Sequence, residues 1–327
     1  MMMPASPSAR VTWSVLYSSL AVFTIVGNSL SIAVFLNNSR LRRMRTSLLL
    51  INLAVADLLV GAVAVPMYMV FQWPESIIAK NSAFVISYEA VDLLTGFASL
   101  FSLSTIGLER AFSVFWPHRH RAMGKCPYFL AVLVCWFLSL LQVLLHFLHE
   151  HKIVDFTVFF YSMMFALSFV LVVMLATYTA VWYKVRARQL EISDRRRNSR
   201  VSMERERKLV LTLAIVTGVF VITWLPFHLL NIAMFFCIRC QGKVRANIIH
   251  AIKLLHYSNS FMNLIIYSCR FPDFRRTLCE FFGKDSGRVY PMQSNNNGHQ
   301  SSMNTHNISP PVEMEGSSRI SIYYQER

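Results

Sequence analysis

Ionisable side chains occur inside several long apolar runs of this 327-residue chain. Asp57, Asp92 and the pair Glu109-Arg110 each lie in a run that has few other charges. A charge in an apolar interior is costly unless it is paired, protonated or hydrated, so an ionisable residue there indicates a functional site. These residues are therefore the first candidates for ligand binding, ion binding or a conformational switch.

Asp92 and Glu89 are the acidic candidates for binding a ligand. Asp92 precedes Arg110 by 18 residues, which is about five turns of an α-helix, so the two lie on the same helix face. Glu89 lies one turn further along that face. A carboxylate near aromatic side chains can bind an organic cation, so the pattern predicts a cationic ligand. The alternative is an internal ion pair between Lys253 and either acid, which would satisfy the carboxylate without a ligand.

The amino-acid composition of the chain indicates whether it is a soluble protein or a membrane protein. Of all residues 54% are hydrophobic and 15% are charged, whereas soluble domains average about a quarter charged. The net charge of +15 is distributed over short basic clusters between apolar runs, which argues against nucleic acid as a partner. The six cysteines lie mostly within apolar runs and do not form a secreted disulfide framework. The chain is therefore predicted to be an integral membrane protein surrounded by lipid.

Seven segments have the length of about 20 mostly apolar residues that a membrane-spanning helix requires. They are approximately Val11–Leu36, Ser47–Phe71, Ala83–Phe115, Tyr128–Leu148, Val154–Tyr183, Leu209–Phe236 and Ile248–Cys269. The seventh is the most polar, and a polar stripe that faces the interior of a helix bundle is the expected reason. The fold class is therefore predicted to be all-α, a seven-transmembrane helix bundle.

The distribution of Lys and Arg predicts the orientation of the bundle. The loops after the first, third and fifth segments contain 17 of these residues. The N-terminus and the loops after the second, fourth and sixth segments contain 6. The tail adds seven more to the first set. Because basic loops stay in the cytoplasm, the N-terminus is predicted to be extracellular and the C-terminus cytoplasmic. No cleavable signal peptide is predicted for the first residues.

Each predicted segment contains residues that resemble the pattern of rhodopsin-like (class A) G-protein-coupled receptors. In chain order these are Gly27-Asn28, Asn52-Leu-Ala-Val-Ala-Asp57 with Pro66, Glu109-Arg110-Ala111, Trp136, Tyr178, Phe220-Val-Ile-Thr-Trp224-Leu-Pro226, Asn263-Leu-Ile-Ile-Tyr267 and Phe271-Pro-Asp-Phe-Arg275-Arg276. One such motif is weak evidence, but the ordered set is specific. The resemblance covers about Ser18 to Phe282, and it departs from the common pattern at Ala111 and Leu264.

The resemblance implies a plasma-membrane receptor that transmits an extracellular small-ligand signal to a heterotrimeric G protein. Receptor kinases and arrestin are implied as further partners, and no enzyme activity is expected. The implied domains are a short extracellular N-terminus (1–10), the transmembrane bundle (11–270), a cytoplasmic amphipathic helix 8 (271–283) and a disordered tail (284–327). The departures at Ala111 and Leu264 leave a non-signalling decoy open. A channel or transporter is disfavoured because the polar residues converge on one pocket instead of forming a path.

The resemblance also implies roles for polar residues in the core of the bundle. It groups Asp57 with Ser99, Asn259 and Asn263 around an allosteric sodium ion, and apart from this ion no cofactor is expected. Oxygen ligands on neighbouring helices suit such a hard cation. The alternative is a water-mediated polar cluster that only packs the helices.

At the cytoplasmic end, the resemblance makes Arg110 an activation switch. In this interpretation Arg110 is released from Glu109 and Glu206 and then contacts a G protein, aided by Tyr178 and Tyr267. A network with two arrangements is what such transmission requires. The alternative is a simple ion pair at the membrane interface.

Three further residues are candidates for modification on the cytoplasmic side. Cys279 follows a basic, amphipathic stretch and resembles a lipidation site. Ser199 and Ser202 lie among arginines, which makes phosphorylation plausible chemistry there. A free thiol and a solvated basic loop are the respective alternatives.

Two ligand classes within the family fit the sequence. In aminergic receptors an aspartate at the place of Asp92 pairs with the ammonium group of the ligand, and a tyrosine at the place of Tyr257 closes the pocket. The run from Trp224 to Asn231 looks more like adenosine receptors, within a wider cluster of melanocortin, cannabinoid and lysophospholipid receptors. A basic-peptide (melanocortin-like) ligand is the alternative. The predicted ligand-binding residues are Asp92, Glu89, Ser162, Trp224, Phe227, His228, Asn231, Lys253 and Tyr257.

A histidine-rich segment follows the fourth apolar run. His146, His149 and His151 with Glu150 have side chains that can bind zinc. Histidines at a membrane edge also occur as a plain polar flank, so no metal ion beyond sodium is predicted.

Overall fold

The computed structural model describes residues 7–73, 77–192, 199–237, 244–270, 272–281 and 283. Within these ranges the regular elements are helices, and no β-strand occurs. The helices are α1 (Pro7–Asn37), α2 (Ser39–Arg43), α3 (Thr46–Leu59), α4 (Val65–Phe71), α5 (Ser82–Phe115), α6 (Pro117–Ala122), α7 (Cys126–Glu150), α8 (Phe156–Ile192), α9 (Ser199–Phe236), α10 (Ala246–Arg270) and α11 (Pro272–Phe281). A π-helical turn, Val60–Ala64, connects α3 and α4. The predicted all-α class is confirmed.

Six helical stretches of the described residues are long and apolar enough to cross a membrane. They are Pro7–Asn37, Thr46–Phe71, Ser82–Phe115, Cys126–Glu150, Phe156–Ala187 and Thr217–Phe236. The predicted seventh span, α10, also has 25 residues, but a series of polar side chains lowers its hydropathy. These side chains are buried, as a stripe facing the bundle interior requires: Lys253, His256, Tyr257, Asn259, Ser260 and Asn263.

Local sequence explains where several helices begin. Asn38 accepts hydrogen bonds from the Arg40 and Leu41 amides at the start of α2. Asn81 accepts one from the Ala83 amide at the start of α5. Such side-chain caps satisfy amide groups that have no partner within the helix. The Asn81 cap fixes the start of α5, which contains the candidate ligand-binding acids.

The central helix of the bundle is α5, which packs against α3, α7 and α8. Leu100 of α5 belongs to the same buried apolar cluster as Phe220 and Trp224 of α9. Large apolar side chains on the other helices face outward instead, such as Phe137 on α7 and Phe165 on α8. An apolar outer surface is what a membrane-spanning bundle presents to lipid.

The π-helical turn brings α1 and the second span close together. The Val65 amide donates to the Val60 carbonyl five residues earlier, and Pro66, which lacks an amide hydrogen, follows at once. Proline and π-turns are common sites of helix distortion. A Cβ atom on Gly61 would lie 2.9 Å from the Thr24 side chain. Glycine is therefore required where this turn meets α1.

Buried amides of the sequence motifs join the helices to each other. Asn28 of α1 donates to the Ser260 carbonyl of α10 at 3.0 Å. Trp136 of α7 donates to Asn52 of α3 at 2.8 Å, and Asn52 donates to Ser102 of α5 at 2.7 Å. Each bond satisfies a polar group that lipid or apolar packing would leave without a partner.

The predicted short helix after the seventh span is present as α11. Phe274 is fully buried in a cluster that also contains Phe35 and Leu41. Asn38 donates to the Thr277 hydroxyl at 2.8 Å. One apolar face of α11 thus packs on α1 and α2, while Arg275 on its other face is exposed. This is the amphipathic arrangement that the sequence predicts.

Candidate ligand-binding site and switch

A cavity of about 1070 Å³ lies between α4, α5, α7, α8, α9 and α10 at the end of the bundle where α5 begins. Its size suits a drug-sized organic molecule. Its aromatic lining consists of Tyr68, Phe71, Tyr88, Phe97, Phe156, Phe159, Phe160, Trp224, Phe227 and Phe235. Its polar lining consists of Glu89, Asp92, His146, His149, Glu150, Asn231, Lys253 and His256.

Asp92 is engaged by two residues of α10. Lys253 Nζ donates to its Oδ2 at 2.6 Å, and the Tyr257 hydroxyl donates to its Oδ1 at 2.7 Å. The ion pair is largely shielded, with 9% of the lysine side chain and 18% of the aspartate side chain exposed. Of the two arrangements that the sequence leaves open for Asp92, the structure therefore has the internal ion pair.

The ammonium group of Lys253 lies in an aromatic enclosure. It is 4.7 Å from the ring centre of Phe227 and 4.9 Å from that of Tyr257, and such contacts stabilise a cation. The His256 ring lies beside Phe227 and Trp224, with centroid distances of 4.6 and 4.2 Å. The lysine thus occupies the kind of environment that the sequence predicts for the cationic group of a ligand.

Glu89 provides a more accessible carboxylate on the same helix face. About 43% of its side chain is exposed, and its Oε2 lies 3.7 Å from His146 Nε2. Glu150 lines the same part of the cavity. The cavity mouth therefore has two carboxylates besides the one paired with Lys253.

Three predicted ligand-binding residues, Ser162, His228 and Tyr257, are not among the described residues that line this cavity. Ser162 of α8 donates to Gln142 Oε1 at 3.2 Å and so faces α7. His228 of α9 shares a hydrogen bond of 3.1 Å with the Ser168 hydroxyl and so faces α8. The structure thus places Ser162 and His228 outside the described lining of the cavity, because each side chain turns to a polar partner on the adjacent helix. Trp224, Phe227 and Asn231 do line the cavity.

Below this cavity lies a much smaller one of about 10 Å³, which is close to the minimum space for one water molecule. Its lining includes Asp92 and Tyr257 above, with Ser99, Asn259 and Ser260 below. Tyr257 lines this lower cavity and not the described wall of the larger one, where it contacts the lining residues Asp92, Tyr88 and Lys253 from behind.

The predicted sodium-binding set comes together beside the small cavity. Asp57 is fully buried, and it accepts hydrogen bonds from Ser99 Oγ at 2.7 Å and Asn263 Nδ2 at 2.5 Å. Asn259 lies on the cavity wall. A buried carboxylate surrounded by hydroxyl and amide groups of other helices is a donor set that fits a hard cation.

At the opposite end of α5, Glu109 forms a polar network. Arg110 Nε lies 3.2 Å from its Oε2. Its Oε1 accepts from Thr46 Oγ1 at 3.1 Å and contacts His120 Nε2 at 2.8 Å. Tyr178 is half-buried on α8. The side chains of Glu206, Tyr267, Ser199 and Ser202 lie outside the described residues, whereas Cys279 is a half-buried free thiol on α11.

Several site residues were missed at the sequence level. Tyr88 is four residues before Asp92, so helical spacing alone could have placed it on the same face. His256 and His120 had no such signal, because they meet their partners through packing between helices and through the turn after α5. These residues extend the predicted set without changing its location.

Comparison with known proteins was consistent with this geometry. The model of the "7 transmembrane receptor (rhodopsin family)" matches residues 27–267. The D(1A) dopamine receptor of Xenopus laevis is 26% identical over 89% of this chain and 78% of its own length. The adenosine receptor A2b of Gallus gallus is 26% identical over 84% and 89%, and the adenosine receptor A2a of Equus caballus is 28% identical over 79% and 69%. The chain therefore belongs to the rhodopsin family of seven-transmembrane receptors and is a G-protein-coupled receptor of the membrane.

Proposed function

We propose that this receptor binds a small aromatic amine in the cavity of about 1070 Å³ and that this end of the bundle faces the extracellular side. The observation behind the proposal is the charge of the lining. Among the described residues of the lining, Glu89, Asp92 and Glu150 are the carboxylates and Lys253 is the single lysine or arginine, which Asp92 already binds. Two carboxylates are left for a cationic ligand. Dopamine receptors, which act on an aromatic amine by their name, are among the relatives.

The ammonium group of the ligand is proposed to bind Glu89. Both oxygens of Asp92 already accept strong hydrogen bonds, and a second cation there would be repelled by Lys253. Glu89 lies three residues earlier, which places it one turn away on the same face. A hydrogen bond to a charged group contributes about 1.5–3 kcal/mol. In this proposal Asp92 contributes to the electrostatic field of the cavity and holds Lys253 in its orientation.

The aromatic group of the ligand is proposed to pack against the aromatic residues of the cavity lining. Phe160 and Phe235 already stack with their ring centres 3.8 Å apart. Trp224 lies in an edge-to-face contact with Phe227 at 6.5 Å. Aromatic pairs of this kind add about 0.5–1.5 kcal/mol beyond the area they bury.

A second candidate ligand is a purine nucleoside such as adenosine. Asn231 lines the cavity among aromatic rings, and this combination can hydrogen-bond and stack a purine base. Adenosine receptors are among the relatives. A nucleoside has no ammonium group, so its binding would not depend on Glu89.

The signal is proposed to pass from the ligand cavity to the polar core below it. Asp92 and Tyr257 line the small cavity together with Ser99, and Ser99 donates to Asp57. Asp57, Ser99, Asn259 and Asn263 would hold an allosteric sodium ion, whose charge would neutralise the buried carboxylate. A ligand that displaces Trp224 or the Asp92 pair changes this core, which is a conformational coupling between two sites.

At the cytoplasmic end, release of Arg110 from Glu109 is proposed to open the G-protein contact. The existing 3.2 Å ion pair is the resting arrangement in this account. Glu206 is proposed to restrain the same arginine, and Tyr178 and Tyr267 are proposed to hold it once it is released.

Modification and partner binding are also proposed for the cytoplasmic side. The basic loops between the spans support an extracellular N-terminus and a cytoplasmic C-terminus. Receptor kinases are proposed to phosphorylate Ser199 and Ser202, which would recruit arrestin. Lipidation of Cys279 would attach α11 to the bilayer, since its thiol is free and α11 is amphipathic. Signalling, and not catalysis, is the proposed activity.

The test is nucleotide exchange on a heterotrimeric G protein in cells that express the chain. The panel contains aromatic amines, adenosine and basic peptides, and Arg110→Ala is the control for coupling. The proposal expects activation by an aromatic amine that Arg110→Ala abolishes. Activation by adenosine or a basic peptide alone would contradict it, and silence towards all three would support a decoy.

A further inference from the structure

Three potential metal ligands from two helices converge at the mouth of the cavity. Glu89 comes from α5, and His146 and Glu150 come from α7. One donor atom from each lies within 4.8 Å of the other two. His146 and Glu150 are four residues apart, so they project from the same helix face. A helical pair at this spacing can chelate one ion, and Glu89 supplies a third ligand from across the cavity.

The imidazole of His146 is the independent indication that the cluster binds something. The residue is 2% exposed, and its Nε2 has no hydrogen-bond partner among the described residues. Its nearest charged atom is Glu89 Oε2 at 3.7 Å. Contacts with Phe147 and Phe159, at ring distances of 5.9 and 5.6 Å, hold the ring in place. A buried polar atom without a partner is costly, so this nitrogen is directed at a missing ligand.

We propose that Glu89, His146 and Glu150 form a Zn²⁺ site. Zinc accepts imidazole nitrogen and carboxylate oxygen at about 2.0–2.2 Å in a tetrahedral arrangement. The side chain of Glu150 is exposed and that of Glu89 is half-exposed, so both can rotate to close the remaining distance. Calcium and magnesium prefer oxygen ligands alone, which fits this set less well. The fourth position faces the cavity and is open to water or a ligand atom.

The neighbouring histidines do not belong to the site. The His149 ring stacks on Phe159, with an interplanar angle of 2°, and its Nδ1 contacts the Val154 carbonyl at 3.4 Å. His151 is exposed at the end of α7. Of the histidine-rich segment, only His146 and Glu150 therefore join Glu89. His149 provides a matched control on the same helix.

The proposed zinc site has a consequence that rests on the proposed function. Glu89 would be shared between Zn²⁺ and the ammonium group of the ligand. The bound ion would both occupy the carboxylate and repel the cation. Zinc is therefore expected to weaken the response to an amine while leaving basal G-protein activation unchanged.

The test titrates the purified receptor, in detergent and freed of metal by a chelating resin, with ZnCl₂ in a calorimeter. No amine and no G protein are present. The wild type is expected to bind one equivalent of Zn²⁺. His146→Ala and Glu150→Gln are expected to bind it at least about tenfold more weakly, since loss of even an outer partner of a metal ligand costs about 10- to 100-fold. His149→Asn is expected to bind like the wild type.

The proposal is overturned if the wild type binds no zinc or if both site variants keep its affinity. Glu150→Gln guards against misfolding, because an exposed side chain is replaced by one of equal size. The two proposals can also fail separately. Zinc binding with no response to any amine would retain the metal site and reject the amine ligand. An amine response without zinc binding would reject the metal site alone.

Discussion

Removal of Lys253 isolates the effect of the internal ion pair. In Lys253→Ala, Asp92 keeps its hydrogen bond from Tyr257 but loses the ammonium group at 2.6 Å. Removing one partner of a buried ion pair costs about 3–5 kcal/mol, and the 18% exposure of the aspartate side chain places the expected cost near the lower end. At about 2–4 °C per kcal/mol for a large domain, the melting temperature should fall by roughly 6–12 °C.

The cavity left by the lysine side chain should accept a free alkylammonium ion. The bound ion would contact the Asp92 carboxylate and the rings of Phe227 and Tyr257, which contact the ammonium group of Lys253 in the wild type. An ion present at about 100 times its Kd stabilises the folded state by about 2.7 kcal/mol. Butylammonium should therefore restore most of the lost stability of Lys253→Ala, whereas butanol should not.

The assay is thermal unfolding of the purified receptor, followed by tryptophan fluorescence. Asp92→Asn/Lys253→Ala is the control, because it removes the charge that the ammonium would pair with. This double variant should be more stable than Lys253→Ala and should not respond to butylammonium. Equal rescue of the double variant, or an equal shift of the wild type, would refute the reasoning.

Two other contacts give predictions that can be measured on the same preparations. Gly61→Ala should lower the free energy of unfolding by about 1–3 kcal/mol, because a Cβ atom would meet Thr24 at 2.9 Å in a packed region. Gly218→Ala in α9, where an added Cβ atom would lie within 4 Å of no described neighbouring group, should be neutral or stabilising by up to about 1 kcal/mol; equal melting temperatures for both variants would contradict this. Glu109→Gln should raise basal nucleotide exchange in membranes by weakening the ion pair with Arg110, and unchanged basal exchange would show that the pair is only structural.

The bundle itself could be predicted because its signals are local. Apolar runs of the required length predicted the spans, and the buried polar stripe of α10 was expected from its low hydropathy. The helices α8 and α9 nevertheless extend beyond the predicted spans, to Ile192 and from Ser199. Their extensions are basic and polar, so hydropathy gives no signal for them. The π-helical turn before Pro66 depends on how Gly61 packs against α1, which the sequence pattern did not specify.

The candidate site could be located from the sequence, but its contacts could not. Helical spacing placed Asp92 and Glu89 on one face of α5, and both line the cavity. The choice between a ligand and Lys253 as the partner of Asp92 depends on a contact across 161 positions. The directions of Ser162 and His228 depend on the rotation of α8 and α9, which a motif does not fix. The packing between helices therefore determines the side-chain partners and directions that local sequence patterns do not specify.

The most direct test of the account is the potency of an activating aromatic amine at the wild type and at Glu89→Gln. Loss of a charge-assisted hydrogen bond worth about 1.5–3 kcal/mol predicts an increase of about 10- to 150-fold in the concentration for half-maximal G-protein activation. The maximal response should stay the same, and Glu280→Gln, at an exposed position of α11, should behave like the wild type. An unchanged potency at Glu89→Gln would contradict Glu89 as the counter-ion of the ligand.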